Sequence, residues 1–273
     1  MQDTCKKYVL QGRTIGLVPT MGALHDGHLS LIKRAQMEND FTAVSIFVNP
    51  MQFGPSEDFG KYPRDIESDA NIIREREVDI LFIPDSPLMY PDLFSTSVNV
   101  DGVSEKLCGR FRPGHFRGVA TVVSKLLNIA CPKRAYFGQK DFQQTVVIRR
   151  LVKDLNFDVE VVVCPTIREH DGLAMSSRNA YLTAEQRKAA TALFRCLTKA
   201  SEAILSGERA PSVIKGLMKG LLSETELITG IDYADVYHPE TLDEIAGLKG
   251  EVLLAVAVRM GDVRLIDNML VNV

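Results

Sequence analysis

The sequence predicts an α/β protein, with a doubly wound parallel sheet in residues 1–176 and a smaller α+β domain in residues 177–273. Three observations carry this. Short apolar runs alternate with helix-period segments through about residue 170. Val119, Val122, Val123, Leu126, Leu127 and Ala130 form the broad apolar stripe of a helix laid on a sheet. After Tyr181 the rhythm changes, and two amphipathic helices precede three strand-like runs.

In chain order, residues 14–18 form an apolar run ended by Pro19, and helix periodicity resumes near Gly27 with Leu29, Ile32 and Ala35 on one face. The alternation returns with a buried strand at 42–48, a polar helix at 64–76 and a strand at 80–83 stopped by Pro84. Parallel strands joined by crossover helices explain that rhythm. Beyond the striped helix, residues 134–137 read as a strand. Ile148, Leu151, Val152 and Leu155 then mark a helix, and the β-branched run 159–163 is a strand ending before Pro165. Further on, Ala190, Leu193, Phe194, Leu197 and Ile204 lie on one long helix, and a second helix spans 211–223. Strands at 231–238, 251–258 and 263–269 predict a small, mainly antiparallel sheet under those two helices. The boundary between the domains is expected within residues 175–179.

Composition narrows the functions. With 45% hydrophobic and 25% charged residues, and 12 prolines and 19 glycines spread along 273 positions, the chain has a globular rather than a disordered make-up. A net charge of -3 and a pI near 6.0 argue against a main role on nucleic acid, and suit a small anionic substrate met by a local basic site. Five scattered cysteines, with no C-x-x-C pair and no zinc spacing, read as free thiols of a reducing compartment. The first residues lack the apolar stretch of a signal peptide, and no run of about 18 apolar residues occurs. A cytoplasmic protein without a membrane partner is expected.

Five motifs carry chemistry. Pro19-Thr20-Met21-Gly22-Ala23-Leu24-His25-Asp26-Gly27-His28 joins the first strand to the first helix. In an open α/β sheet ligands bind beyond the carboxyl ends of the strands, where a helix N-terminus favours phosphate. Gly22 and Gly27 permit close backbone approach, and His25 and His28 can face one ligand. A capped surface helix or half of a metal site would use the same two histidines. Phe47-Val48-Asn49-Pro50-Met51-Gln52-Phe53 sets an amide among apolar walls, which suits a small, partly aliphatic acid; an ordinary Asn-Pro turn is the plainer account. Arg112-Pro113-Gly114-His115-Phe116-Arg117-Gly118 gathers cations for an anion or forms a solvated basic turn, and Arg110 and Arg117 are given no role.

Phe137-Gly138-Gln139-Lys140-Asp141-Phe142-Gln143-Gln144 repeats the strand-loop-helix step on the same sheet edge. Lys140 there is placed to hold a triphosphate and offset charge growing at the α-phosphorus, or else to pair with Asp141 at the surface. The stretch from Arg168 to Asn179 ends in Met175-Ser176-Ser177-Arg178-Asn179 and puts two hydroxyls and an arginine at the domain junction, as a phosphate-closing loop or a polar turn.

His25-Asp26-Gly27-His28 resembles the H-x-G-H signature of nucleotidylyltransferases and class I aminoacyl-tRNA synthetases. Met175 to Arg178 resembles their second signature loop, with Arg178 where a lysine often stands. All five motifs in order resemble the pantothenate synthetase family. The resemblance implies a ligase that converts ATP, (R)-pantoate and β-alanine, with Mg2+, into pantothenate, AMP and diphosphate through a pantoyl adenylate. It also implies a homodimer with no nucleic-acid partner.

By the same resemblance, ATP would be met by Met21, Gly22, Ala23, Leu24, His25, Asp26, Gly27 and His28, by Gly138, Gln139, Lys140 and Asp141, by Ile167, and by Met175, Ser176, Ser177 and Arg178. Pantoate would be met by Met21, Gln52 and Gln144, and β-alanine by Gln52. His25, His28 and Lys140 would be catalytic, His28 as a general acid. The departures are a short N-terminus, Gln139 where the family usually has glutamate, and Ser68 before Asp69, where adjacent acidic residues often stand near magnesium. Asp69 is the remaining candidate metal contact. The C-terminal domain is expected to close over the site from a hinge near Met175, because water would hydrolyse an adenylate. Two other readings are a nucleotidylyltransferase that leaves the nucleotide on its product, and a nucleotide-binding regulator without turnover.

Overall fold

The apolar runs of the first half pair into one parallel sheet. In this computed structural model, which describes residues 1–55 and 57–273, β1 (Ile15–Thr20), β2 (Phe41–Ile46), β3 (Ile80–Phe82), β4 (Arg134–Gly138) and β5 (Glu160–Cys164) lie in the order β3-β2-β1-β4-β5. β1 and β2 are almost wholly buried, as continuous apolar strands covered on both faces should be. The strand order reverses between β1 and β4, and such a reversal opens a crevice at the carboxyl ends of the two strands. β1 leads into the helix Asp26–Glu38 and β4 into the helix Phe142–Asp154, so the first and fourth motifs meet at that crevice.

β1 runs through Pro19 instead of stopping there. The carbonyl of Thr20 bonds to the β2 side, at the amide of Phe47, so Pro19 points to the β4 side. The pairing of β1 with β4 covers Gly16 and Leu17, and a missing N–H beyond it costs no ladder bond. The striped helix, His115–Ala130, buries every predicted stripe residue, and ends on Cys131 in the left-handed conformation. The helix Gln2–Leu10 has no counterpart in the sequence reading, because it buries Cys5 alone and shows no apolar period.

In the second half, β6 (Gly230–Tyr237), β7 (Glu251–Met260) and β8 (Val263–Asn272) form an antiparallel sheet with β7 central. The helices Ala192–Leu205 and Pro211–Ser223 bury Leu193, Leu197, Ile204, Ile214 and Met218 in one core with β6, β7 and β8. The two sheets also share apolar contacts, since Tyr237, Leu253 and Ala255 belong to the cluster built around Val119, Val123 and Leu127. Polar clamps add to them. Arg168 grips Asp267 from Nη1 (2.6 Å) and Nη2 (3.0 Å), and Asn268 Nδ2 donates to the carbonyls of Gln139 (3.0 Å) and Lys140 (2.9 Å). All five cysteines are free, and no helix of the described residues is long and apolar enough to cross a membrane.

Candidate active site

Beyond β1 the chain makes a tight left-handed turn at Gly22 (φ 83°) and Ala23 (φ 50°). Alanine in that conformation costs about 1–2 kcal/mol, which the surroundings must offset. The helix that follows is capped by two imidazoles. His25 Nδ1 accepts from the amide of Gly27 (3.2 Å), and His28 Nδ1 accepts from the amide of His25 (3.4 Å). The rings sit 4.1 Å apart between centroids, and a Cβ on Gly27 would fall 2.8 Å from the His25 ring, so only glycine fits.

These contacts set the protonation. A nitrogen that accepts carries no proton, so each neutral ring holds its hydrogen on Nε2. Burial, and then the His25 ring beside it, pushes His28 down to about 3; burial and then Lys140 lower His25. Both are neutral hydrogen-bond donors near pH 7. In its neutral form His28 offers Nε2–H to a ligand as a hydrogen-bond donor. Two first-turn amides, Gly27 and His28, are already bonded to His25, which leaves the helix dipole and the two Nε2–H groups to attract an anion.

Across the crevice, Lys140 Nζ lies 3.7 Å from Asp141 Oδ1 with its side chain one-fifth exposed (20%). The fifth motif touches the loop after β1. Ser177 Oγ donates to the carbonyl of Ala23 (3.1 Å), and the amide of Met175 donates to the carbonyl of Ile167 (3.0 Å). Arg178 is held by Asp58 through Nε (2.9 Å) and Nη2 (3.0 Å) and lies over the Tyr62 ring.

The lining also has an apolar part, with Phe47, Val119, Val122, Val123 and Leu126 alongside two amides, Gln52 and Gln144. The orientation of Gln52 is fixed by a relay. Tyr90 OH donates to Asn49 Oδ1 (2.7 Å), Asn49 Nδ2 donates to Gln52 Oε1 (3.1 Å), and Gln52 Nε2 is left facing Met21 Sδ (3.0 Å). Burial raises the Tyr90 phenol, which keeps it a donor. Gln143, next to Gln144, does different work: it ties down the carbonyls of Val103 and Lys106 and the amide of Cys108. His115 Nδ1 donates to the carbonyl of Gln52 (2.8 Å) and its Nε2 accepts from Arg112, which is paired with Glu57. Burial, then Arg112, pushes His115 down to about 3.

Of the residues singled out in the sequence, Met21, His25, Gly27, His28, Gln52, Gly138, Lys140, Asp141, Gln144, Ile167, Met175, Ser176, Ser177 and Arg178 line one cavity. Gly22, Ala23, Leu24, Asp26 and Gln139 do not line it. Asp69 is also elsewhere employed: its Oδ2 and Oδ1 accept from the amides of Ala23 and Leu24, both at 2.8 Å. Among the described residues no three His, Cys, Asp or Glu side chains converge as a cation site. The sequence reading missed Tyr62 and Tyr90, which carry no local signal, and assigned no contact to Asn49, Arg112 or His115, although their motifs were visible.

A switch-point crevice with a histidine-capped helix start after one strand and a lysine after the other, adjoining an amide-bearing apolar pouch, defines an α/β protein suited to hold a nucleotide beside a small acid. Comparison with known proteins narrows the class. The family model described as pantoate-beta-alanine ligase matches residues 1–270, and the chain belongs to that family. Among curated relatives, the pantothenate synthetase of Thermodesulfovibrio yellowstonii is 54% identical over 272 residues, covering 100% of this chain and 97% of the relative. That of Caldicellulosiruptor saccharolyticus is 53% identical over 273 residues, with the same coverage. Among solved structures, pantothenate synthetase from Thermus thermophilus superposes with a TM-score of 0.91 at 47% identity, covering 94% of this chain and 92% of that one. The pantoate-beta-alanine ligase of Francisella tularensis, solved with beta-gamma ATP and beta-alanine, gives 0.77 at 37% identity, covering 98% and 93%.

Proposed function

We propose that this chain joins (R)-pantoate to β-alanine at the expense of ATP, releasing pantothenate, AMP and diphosphate. The observation that carries the reading is the single cavity in which the capped helix start and Lys140 adjoin the Gln52 and Gln144 pouch. In the first step the pantoate carboxylate attacks the α-phosphorus and diphosphate leaves; in the second the β-alanine amine attacks the acyl carbon and AMP leaves. Substrate supplies each nucleophile, so the protein's work is positioning and charge stabilisation. Lys140 offsets charge on the phosphates, and His25 and His28 donate from Nε2 to phosphate oxygens. Gln52 and Gln144 hold pantoate, with Met21 against its carbon skeleton and Gln52 reaching β-alanine, while the loop from Met175 to Arg178 closes on the nucleotide.

Magnesium is proposed to arrive with ATP. Such a small cation keeps several waters and binds mainly through substrate phosphates, which suits a cavity where the lining carboxylate, Asp141, lies beside the Lys140 ammonium. The proposed units are residues 1–176, for ATP and pantoate, and 177–273, as a lid; the proposed assembly is a homodimer in the cytoplasm, as the family resemblance implies. Sedimentation and small-angle scattering with an adenylate analogue test the assembly and the lid. The activity is tested by AMP release from ATP and magnesium with pantoate, with and without β-alanine. Sustained turnover requiring both substrates supports the ligase. A nucleotide retained on the product, or no turnover while ATP binds, overturns it.

A further inference from the structure

We propose that Asp69 is a positioning residue for the reaction, and that its task is to set the left-handed turn before the H-x-G-H segment rather than to hold metal. The inference rests on the activity proposed above but is read from the turn itself. The helix Ile66–Glu75 begins at Asp65, whose carboxylate accepts from the amide of Ser68 (2.9 Å), and its inward face carries Asp69 and, one turn on, Ile73. Ile73 is 2% exposed and packs with Val18, Leu31, Ile32 and Val44, under the two strands and the helix that frame the crevice. The core thereby fixes where the Asp69 carboxylate stands. Asp69 is 3% exposed, and its carboxylate spends one oxygen on each of two successive amides, Ala23 and Leu24.

The fit is specific to a carboxylate. Two adjacent N–H groups need a forked acceptor with no donor of its own, and an asparagine would turn an NH2 group against one of them. The carboxylate also lies tight on Gly22, where a Cβ would come within 2.8 Å of Oδ2. Leu24 directly precedes His25, so the rotation of this turn sets where the paired rings point. Among the described residues, the other side-chain hydrogen bonds to the turn are Thr20 Oγ1 accepting from Gly22 (3.3 Å) and Ser177 donating to the Ala23 carbonyl. Ser177 belongs to the loop after β5 and Thr20 holds Gly22 alone, which leaves Asp69 as the side chain that accepts from the amides of both Ala23 and Leu24.

The test compares Asp69→Asn and Asp69→Glu with the unaltered chain. Glutamate keeps a metal-binding charge but not the geometry, so both variants should lose about 10- to 100-fold in kcat, the usual effect of removing a residue that orients a catalytic group. The half-saturating magnesium concentration should stay within twofold. Amide exchange at Ala23 and Leu24 should accelerate in the Asn variant and remain slow elsewhere on the helix Asp26–Glu38. A magnesium requirement raised tenfold with kcat restored at high magnesium, or an unchanged kcat in a folded variant, overturns the assignment. Should the variants not fold, the unaltered protein decides: magnesium alone, without nucleotide, leaves the Ala23 and Leu24 amide resonances in place if Asp69 is an anchor, and shifts them if it is a metal ligand. The amide measurements need no turnover, so they stand even if the proposed activity fails.

Discussion

Replacing Lys140 by alanine removes the cation nearest the paired histidines, and the loss can be worked from its surroundings. Two unit charges about 4 Å apart at an effective dielectric near 20 interact by roughly 4 kcal/mol. Asp141, 3.7 Å from Nζ, offsets part of this attraction, and the one-fifth exposure of the side chain lets water screen a little more. About 3 kcal/mol remains, or roughly 10²-fold in kcat, within the range for removing one transition-state donor. AMP release at saturating ATP, pantoate and β-alanine reads the loss, in a variant whose unfolding midpoint is unchanged. Lys140→Arg should recover part of it, since the charge returns on a different stem. A folded Lys140→Ala protein within a few-fold of the unaltered rate would refute the electrostatic role.

His28→Ala should lower kcat by roughly 10² to 10³, whereas His28→Gln, which keeps a neutral N–H donor near the Nε2 position, should retain most activity; equal loss in both returns His28 to the role of proton donor. Tyr90→Phe breaks the relay that orients Gln52, and should raise the pantoate KM by about 2- to 10-fold, the worth of one hydrogen bond, with the ATP KM unchanged; an equal rise in both separates Tyr90 from the acid pouch. His28 and His115 have folded pKa values depressed from 6.5 to about 3. Their neutral forms stabilise the fold fully above about pH 6.5, and that contribution falls as pH drops toward 3, because the unfolded chain takes up protons the folded chain refuses. Urea unfolding between pH 7 and 4 should show the decline, at most about 1.4 kcal/mol per pH unit for each ring, and less because both keep some water contact. A double His28→Gln, His115→Gln variant that keeps the whole slope would assign it to other groups.

The helices and strands were legible because each element encodes its own burial. The stripe from Val119 to Ala130 and the β-branched run at 159–163 say which face is apolar whatever they pack against. The motifs were legible in the same local way, as strand ends meeting helix starts, and the order of five such segments carries the family resemblance. Pairings between distant segments were not legible, because they depend on which strand lies beside which. Gln143 and Gln144 are adjacent and chemically identical, yet one ties down the 103–108 loop and the other lines the cavity; only the helix rotation distinguishes them. Asn268 gripping the carbonyl of Lys140, Tyr90 orienting Gln52 through Asn49, and Asp58 holding Arg178 join residues 128, 38 and 120 positions apart. The local sequence determined the elements and the chemical groups at their ends. The tertiary structure alone decided the strand order that opens the crevice, the burial that keeps His25 and His28 neutral, and the turn that takes up the Asp69 carboxylate, because each is a property of what surrounds a residue in space.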